Sequence, residues 1–302
     1  MPAGYPNDIV LPAPHPSIIE ATFAQTSIAK AAWLARLQLE YAKTPRGTQL
    51  RRKLHAGPLT VQKALFPEGP DVCHTLILHP PGGIAGSDEL AIDITLDAGA
   101  QTLITMPGAT KWYRTDSAPA SQRLQIDIAA GATLEWLPPE TIVFDRAAVR
   151  MDTSIDLAAG GQYIGWEILC LGRTAAGETY DAGDIRQSTQ ISIAGELRWS
   201  ERCRLDGGSR LLASAAGLGG APVSAIMLAA GKPVTPEVVA QCRSVMLDSG
   251  ARAGVTALPD ILVARYIGHS SEQAKNYFIE LWRVLRPHFS GRAAVTPRIW
   301  TT

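Results

Sequence analysis

The feature that most constrains this chain is a turn that returns at nearly constant spacing. Leu96-Asp97-Ala98-Gly99-Ala100, Ile128-Ala129-Ala130-Gly131-Ala132 and Leu157-Ala158-Ala159-Gly160-Gly161 share the form aliphatic-x-Ala-Gly-small, and their glycines lie 32 and 29 residues apart. Each copy ends a segment of alternating apolar residues: Ile92/Ile94/Leu96, Leu124/Ile126/Ile128 and Ile155/Leu157. That two-residue period belongs to a strand with one buried face. Another strand-like run follows each turn. A strand–turn–strand unit of this size cannot bury its apolar face alone and must stack on its neighbours. The pattern therefore predicts a mainly β chain with a β-helical, layered, solenoid-like body.

Shorter signals fill in the rest. Trp33, Ala35, Leu37, Leu39 and Tyr41 alternate with Arg36, Gln38 and Glu40, which places a strand within 28–43. Further β runs are read at Leu59–Val61, Thr75–Leu78, Leu103–Thr105, Thr133–Leu137, Tyr163–Leu169 and, as one stretch, Ile191–Leu205. Two α-helices are expected in the C-terminal third. Thr235-Pro236-Glu237 offers an N-cap, a first-turn proline and a first-turn acid for a helix over 236–248, with Gly250 to end it. Ser270 and Gln273 form a capping box for a second helix over 271–286, whose apolar stripe runs from Ala274 to Leu285, with Pro287 expected to stop it. Five prolines in the first twenty residues mark 1–30 as a flexible extension, leaving 31–302 as a single domain.

Composition excludes several classes. Lys+Arg and Asp+Glu number 28 each, so the basic excess of a nucleic-acid binder is missing. The apolar run near Pro222–Ala230 is far shorter than the ~20 residues of a membrane span. The N-terminus lacks the basic and apolar regions of a signal peptide. Four cysteines without close spacing point to a reduced, cytoplasmic protein. Charged residues are 19%, against a usual value of about 25%, which leaves either apolar surface for a partner or a large core.

The familiar catalytic and phosphate-binding motifs are absent. Cys73, His74 and His79 look like metal ligands by composition. On a strand, however, Cys73 and His79 stand about 20 Å apart and Cys73 and His74 face opposite ways. The run His79-Pro80-Pro81-Gly82-Gly83-Ile84-Ala85-Gly86-Ser87-Asp88 is a rigid entry into a contorted turn. It is either a plain connection or a backbone shaped so that His79 or Asp88 lines a cavity. Met106–Arg114 reads as an exposed contact patch or a packed corner. Glu135, Glu167 and Glu201 each interrupt an apolar strand. Such carboxylates are paired with arginine, for which Arg173, Arg202 and Arg204 are available, or they face a polar channel.

Taken in order, the segments GPLTVQKALFPEG (57–69), CHTLILHPPGGIAGSD (73–88), TLITMPGATKWYRT (102–115), GATLEWLPPETIVF (131–144), WEILCLGRTAAGET (166–179) and RPHFSGRAAVTPRIW (286–300), with Gln122, resemble the urease accessory protein UreD (UreH) family. Two departures stand out: Ser87 replaces the second of two glycines before the acid, and Trp112 replaces a phenylalanine. The resemblance implies a β-helical body with two helices and a non-enzymatic role. It implies partners UreF, the GTPase UreG and apo-urease, to which the complex delivers Ni²⁺, with no cofactor held tightly and nickel passing through an internal channel. On that reading Asp88, Glu167 and Glu201, with His79, are the candidate transient nickel path. Gly82, Gly83, Thr110, Lys111 and Arg298 are candidate structural or interaction positions. The alternative within the same family is a passive scaffold that bridges UreF to urease without touching nickel.

Overall fold

The computed structural model describes residues 32–247 and 249–301; the expected extension over 1–30 lies outside the described residues. The first strands are β1 (Leu34–Thr44), β2 (Gly47–Ala56), β3 (Thr60–Val61), β4 (Val72–Leu78), β5 (Glu89–Leu96), β6 (Gln101–Thr105) and β7 (Thr110–Trp112). Then come β8 (Ala120–Ile128), β9 (Thr133–Trp136), β10 (Thr141–Val143), β11 (Ala148–Leu157), β12 (Gln162–Leu171), β13 (Asp184–Ile193) and β14 (Glu196–Asp206). The chain continues through α1 (Arg210–Ala213), β15 (Val223–Ala230), α2 (Pro236–Ser244), β16 (Arg252–Ala257), β17 (Ile261–Gly268) and α3 (Ser271–Ser290).

The chain is mainly β and winds as a β-solenoid of about four turns. One sheet has the order β14-β13-β11-β8-β5-β1-β2 and the other β16-β17-β15-β12-β9-β6-β4-β3. Successive turns place β5, β8, β11 and β13 side by side in parallel in the first sheet, and β4, β6, β9 and β12 in the second. β7 and β10 pair with each other, and β10 with the end of β12, as a short third wall. The recurring turn is the corner of this coil. Gly99 and Gly131 donate their N–H groups to Ala130 O and Gly160 O of the next corner, at 3.2 and 3.0 Å. All three glycines have φ near +70 to +80°, a conformation that favours glycine.

Strand alternation divides the buried residues into two layers. Leu37, Ile92, Ile94, Ile126, Val149 and Ile185 fill the space between the sheets. The far face of the second sheet, with Ile164, Trp166, Met227 and Leu262, packs under α2 and α3 through Phe278, Leu281, Trp282 and Leu285. The capping residues act as the sequence requires: Thr235 Oγ1 accepts from Val238 N and Ser270 Oγ from Gln273 N.

Several boundaries differ from expectation. Ile191–Leu205 is not one run but parts of β13 and β14, joined through Ala194 and Gly195, both at positive φ. That pair makes the tight turn of a β-hairpin, and an alanine in this position gives little warning of it. α2 ends at Ser244 rather than near 248, because its buried stripe is only Val239 and Cys242 and Met246 beyond it is 89% exposed. α3 runs through Pro287 to Ser290. Proline removes one N–H, but Arg286 and Phe289 are buried on either side, and Gly291 closes the helix by donating to Pro287 O. β15, β16 and β17 extend the second sheet from a region that the sequence reading left without strands.

Candidate functional site

The HPPGG loop is shaped by two glycines with different tasks. Gly82 has φ +73° and donates to His79 O at 2.9 Å, closing the turn after the two prolines. At Gly83 a side chain would lie 2.1 Å from the Tyr113 ring, so the loop needs close approach there rather than unusual φ. The loop is stitched to β7: Ile84 N–H donates to Lys111 O at 2.7 Å, and Tyr113 N–H to Ile84 O at 2.8 Å. Met106–Arg114 is thus a packed corner, with Trp112 buried and Tyr113 edge-on to Phe144 at 5.0 Å. Between the sheets this arrangement leaves a cavity of about 280 Å³, bordered by His79, Gly82, Gly83, Thr110, Lys111 and Gln122. Burial holds the His79 imidazole below its usual range, against the pull of the Asp88 charge.

Asp88 is 4% exposed, and both carboxylate oxygens have backbone donors: Trp33 N–H at 3.0 Å and Ala85 N–H at 2.8 Å. It ties the approach to β1 onto the loop that starts β5. Ser87 beside it has φ +69°. Ser87 thus occupies a position whose backbone favours glycine.

Glu167 and Glu201 come together elsewhere, around a cavity of about 90 Å³ between the sheets that shares no lining residue with the first. Glu167 projects inward from β12 and Glu201 from β14, with Gln187 of β13 donating to the Glu167 carboxylate. Arg265 of β17 meets Glu201 at 2.8 Å, and Cys203 borders the same space. Burial, with the Glu201 charge adding to it, pushes the Glu167 carboxyl up to about 7. The four candidate path residues are therefore split, with His79 and Asp88 near one cavity and Glu167 and Glu201 at the other. Arg298 lies exposed in the terminal 3-10 turn, Arg298–Thr301, next to Trp300, which packs on Trp166 and Trp282.

The arginines expected to pair with the strand carboxylates are not the ones that do. Arg173 binds Glu178 and Arg204 binds Asp206, because they stand on exposed loops and strand faces. Glu201 takes Arg265, and Glu135 takes Arg286 from α3 at 2.7 Å. Arg286 also grips both oxygens of Glu68 at 2.7 Å, and His74 Nε2 meets Glu68 at 2.7 Å. His74 is therefore held in an ionic cluster between solenoid and helix. Among the described residues no group of three or more His, Cys, Asp or Glu is placed to hold a metal ion, and no helix is long and apolar enough to cross a membrane. Sequence reading missed Gln187 and Arg265. The alternation Ile261, Val263, Arg265, Ile267 in ILVARYIG is the signal that would have found Arg265 as an inward-facing charge.

Fold and site together define a β-solenoid protein with a helical cover, whose candidate polar groups gather at two cavities between its two sheets. Residues 34–301 match the family described as UreD urease accessory protein. The chain is 50% identical over 275 residues to the urease accessory protein UreD of Dechloromonas aromatica (strain RCB), covering 90% of this chain and 95% of that one. It is 47% identical over 270 residues to that of Methylobacillus flagellatus, covering 89% and 95%. With the protein from Nitrosococcus oceani it shares 45% over 283 residues, covering 94% and 95%. The chain belongs to the UreD family of urease accessory proteins.

Proposed function

We propose that this chain is a non-catalytic maturation factor that joins UreF and UreG on apo-urease and passes Ni²⁺ between its two sheets. Family membership supports the partners. The observation that carries the nickel path is the pair of carboxylates, Glu167 and Glu201, turned from opposite sheets toward one small cavity. A carboxylate placed as deep as Glu167 is not held there without cause, since burying one is costly unless something compensates. Oxygen donors suit passage: nickel is held more firmly by nitrogen, and a conduit must release what it binds. His79 and Lys111 at the first cavity give that space a polar edge. Asp88, with both oxygens committed to backbone, serves this reading as the anchor of the loop above the cavity.

The test is urease matured with UreF, UreG and either the wild-type chain or Glu201→Ala. The proposal expects the variant to co-purify with its partners while the nickel content of urease falls severalfold. Full nickel loading by Glu201→Ala, with the complex intact, would leave the chain a passive bridge.

A further inference from the structure

We propose that Arg265 is the gate of the Glu167–Glu201 cavity, a resident cation that an entering Ni²⁺ ion must displace from Glu201. The inference rests on the nickel path proposed above and adds to it a residue, a position and a direction of control.

Position comes first. β14 is the edge strand of the first sheet, and Trp199, Glu201, Cys203 and Leu205 form its less exposed, inward-turned set. Across the gap, β17 presents Val263 and Ile267 to the layer between the sheets, and Arg265 lies between them on the same face. The Arg265–Glu201 bridge thus spans the two sheets where the sandwich is open at its side. The side chains are 52% and 28% exposed, so the pair sits at the rim while Glu167 lies deeper.

Charge comes second. Among the described residues, Arg265 is the only cationic side chain on the cavity's lining, which also carries two carboxylates. With the guanidinium in place, Glu201 is already compensated and a divalent ion meets a site short of negative charge. When the guanidinium swings away, the carboxyl oxygens of both Glu201 and Glu167 are open to the ion. The exchange is mechanically easy. An ion pair half in solvent is held weakly, and a long arginine side chain turned outward stays hydrated. A fixed cation would close the path, whereas an exchangeable one keeps the ion from settling, because the guanidinium returns to Glu201 as the ion leaves.

Equilibrium dialysis of the full chain against Ni²⁺, in its soluble complex with partners, tests this. Arg265→Gln leaves a shorter polar side chain without the charge. It should tighten Ni²⁺ binding by roughly tenfold, equivalent to about 1.4 kcal/mol, and lower the nickel handed to urease. Arg265→Lys restores a cation at the rim and should return both readouts toward wild type, which a purely structural role for the guanidinium would not require. Arg265→Gln and wild type binding Ni²⁺ equally, while Glu201→Gln loses binding, would overturn the gate and leave the path standing. Equal Ni²⁺ binding by wild type and Glu201→Gln would remove the path and the gate with it. Thermal unfolding of each variant separates these results from loss of fold.

Discussion

Ser87 shows how a single position can carry strain that its neighbours impose. The loop turns there with φ +69°, and a side chain in the left-handed region costs of order 1 kcal/mol relative to glycine. Ser87→Gly should raise the free energy of unfolding by about 0.5–1 kcal/mol, although glycine also loosens the unfolded chain. Unchanged or lower stability would show that the serine hydroxyl supplies compensation. Asp88 next to it works the other way. Asp88→Ala removes the acceptor of two backbone N–H groups, and about 1–3 kcal/mol should be lost in urea unfolding. Any fall in urease nickel with this variant would then follow from a loosened loop as well as from a lost charge. The sequence already singled out this loop by its glycines and its acid. It could not show that Asp88 faces backbone, because the N–H groups it accepts belong to Trp33 and Ala85, and the chain must fold before the first of these is near.

At the scale of elements, the seam between α3 and the solenoid depends on Arg286, which is 1% exposed and joined to Glu68 and Glu135. Arg286→Ala removes the arginine from both buried carboxylates, leaving Glu68 only His74, and should cost about 3–5 kcal/mol. Acid unfolding should report the same seam. Burial alone would raise the Glu68 carboxyl, but hydrogen bonds from His74 and Arg286 outweigh it and bring it down to about 2. Its contribution is complete above the ordinary glutamate value and lost as pH falls toward 2. Glu135 has the opposite sign. Burial raises it to about 7 in spite of Arg286, with the Glu68 charge adding to the rise. Its contribution is complete below the ordinary glutamate value and lost as pH climbs through 7. Glu135→Gln should therefore flatten the alkaline side of the stability profile between about pH 5 and 8 and leave the acid limb in place. A slope on the alkaline side equal to that of the wild type would contradict the assignment.

The element scale also marks where sequence reading stops. α3 was legible because its capping box and apolar stripe are local, and the solenoid corners because their glycines repeat. β16 and β17 were not. Ala253 and Gly254 of β16 are weak strand formers singly, and although β17 is rich in strand formers, its pairing with β15 and β16 is supplied from outside the segment. Missing β17 meant missing Arg265, and with it the true partner of Glu201. The same distance in sequence hid the pairing of Glu135 with Arg286, which are 151 residues apart.

For the whole molecule, the central claim is that the space between the sheets is a route for Ni²⁺. A substitution that fills the space while leaving every carboxylate in place tests that claim more directly than removal of any one ligand. Ser224 on β15 borders the Glu167–Glu201 cavity and carries a small side chain. Ser224→Phe puts a ring into a space of about 90 Å³. The decisive measurement is the nickel content of urease matured by the complex containing Ser224→Phe, with assembly of that complex verified by co-purification. The account predicts an assembled complex and urease left largely without nickel; urease loaded to the wild-type level would contradict it.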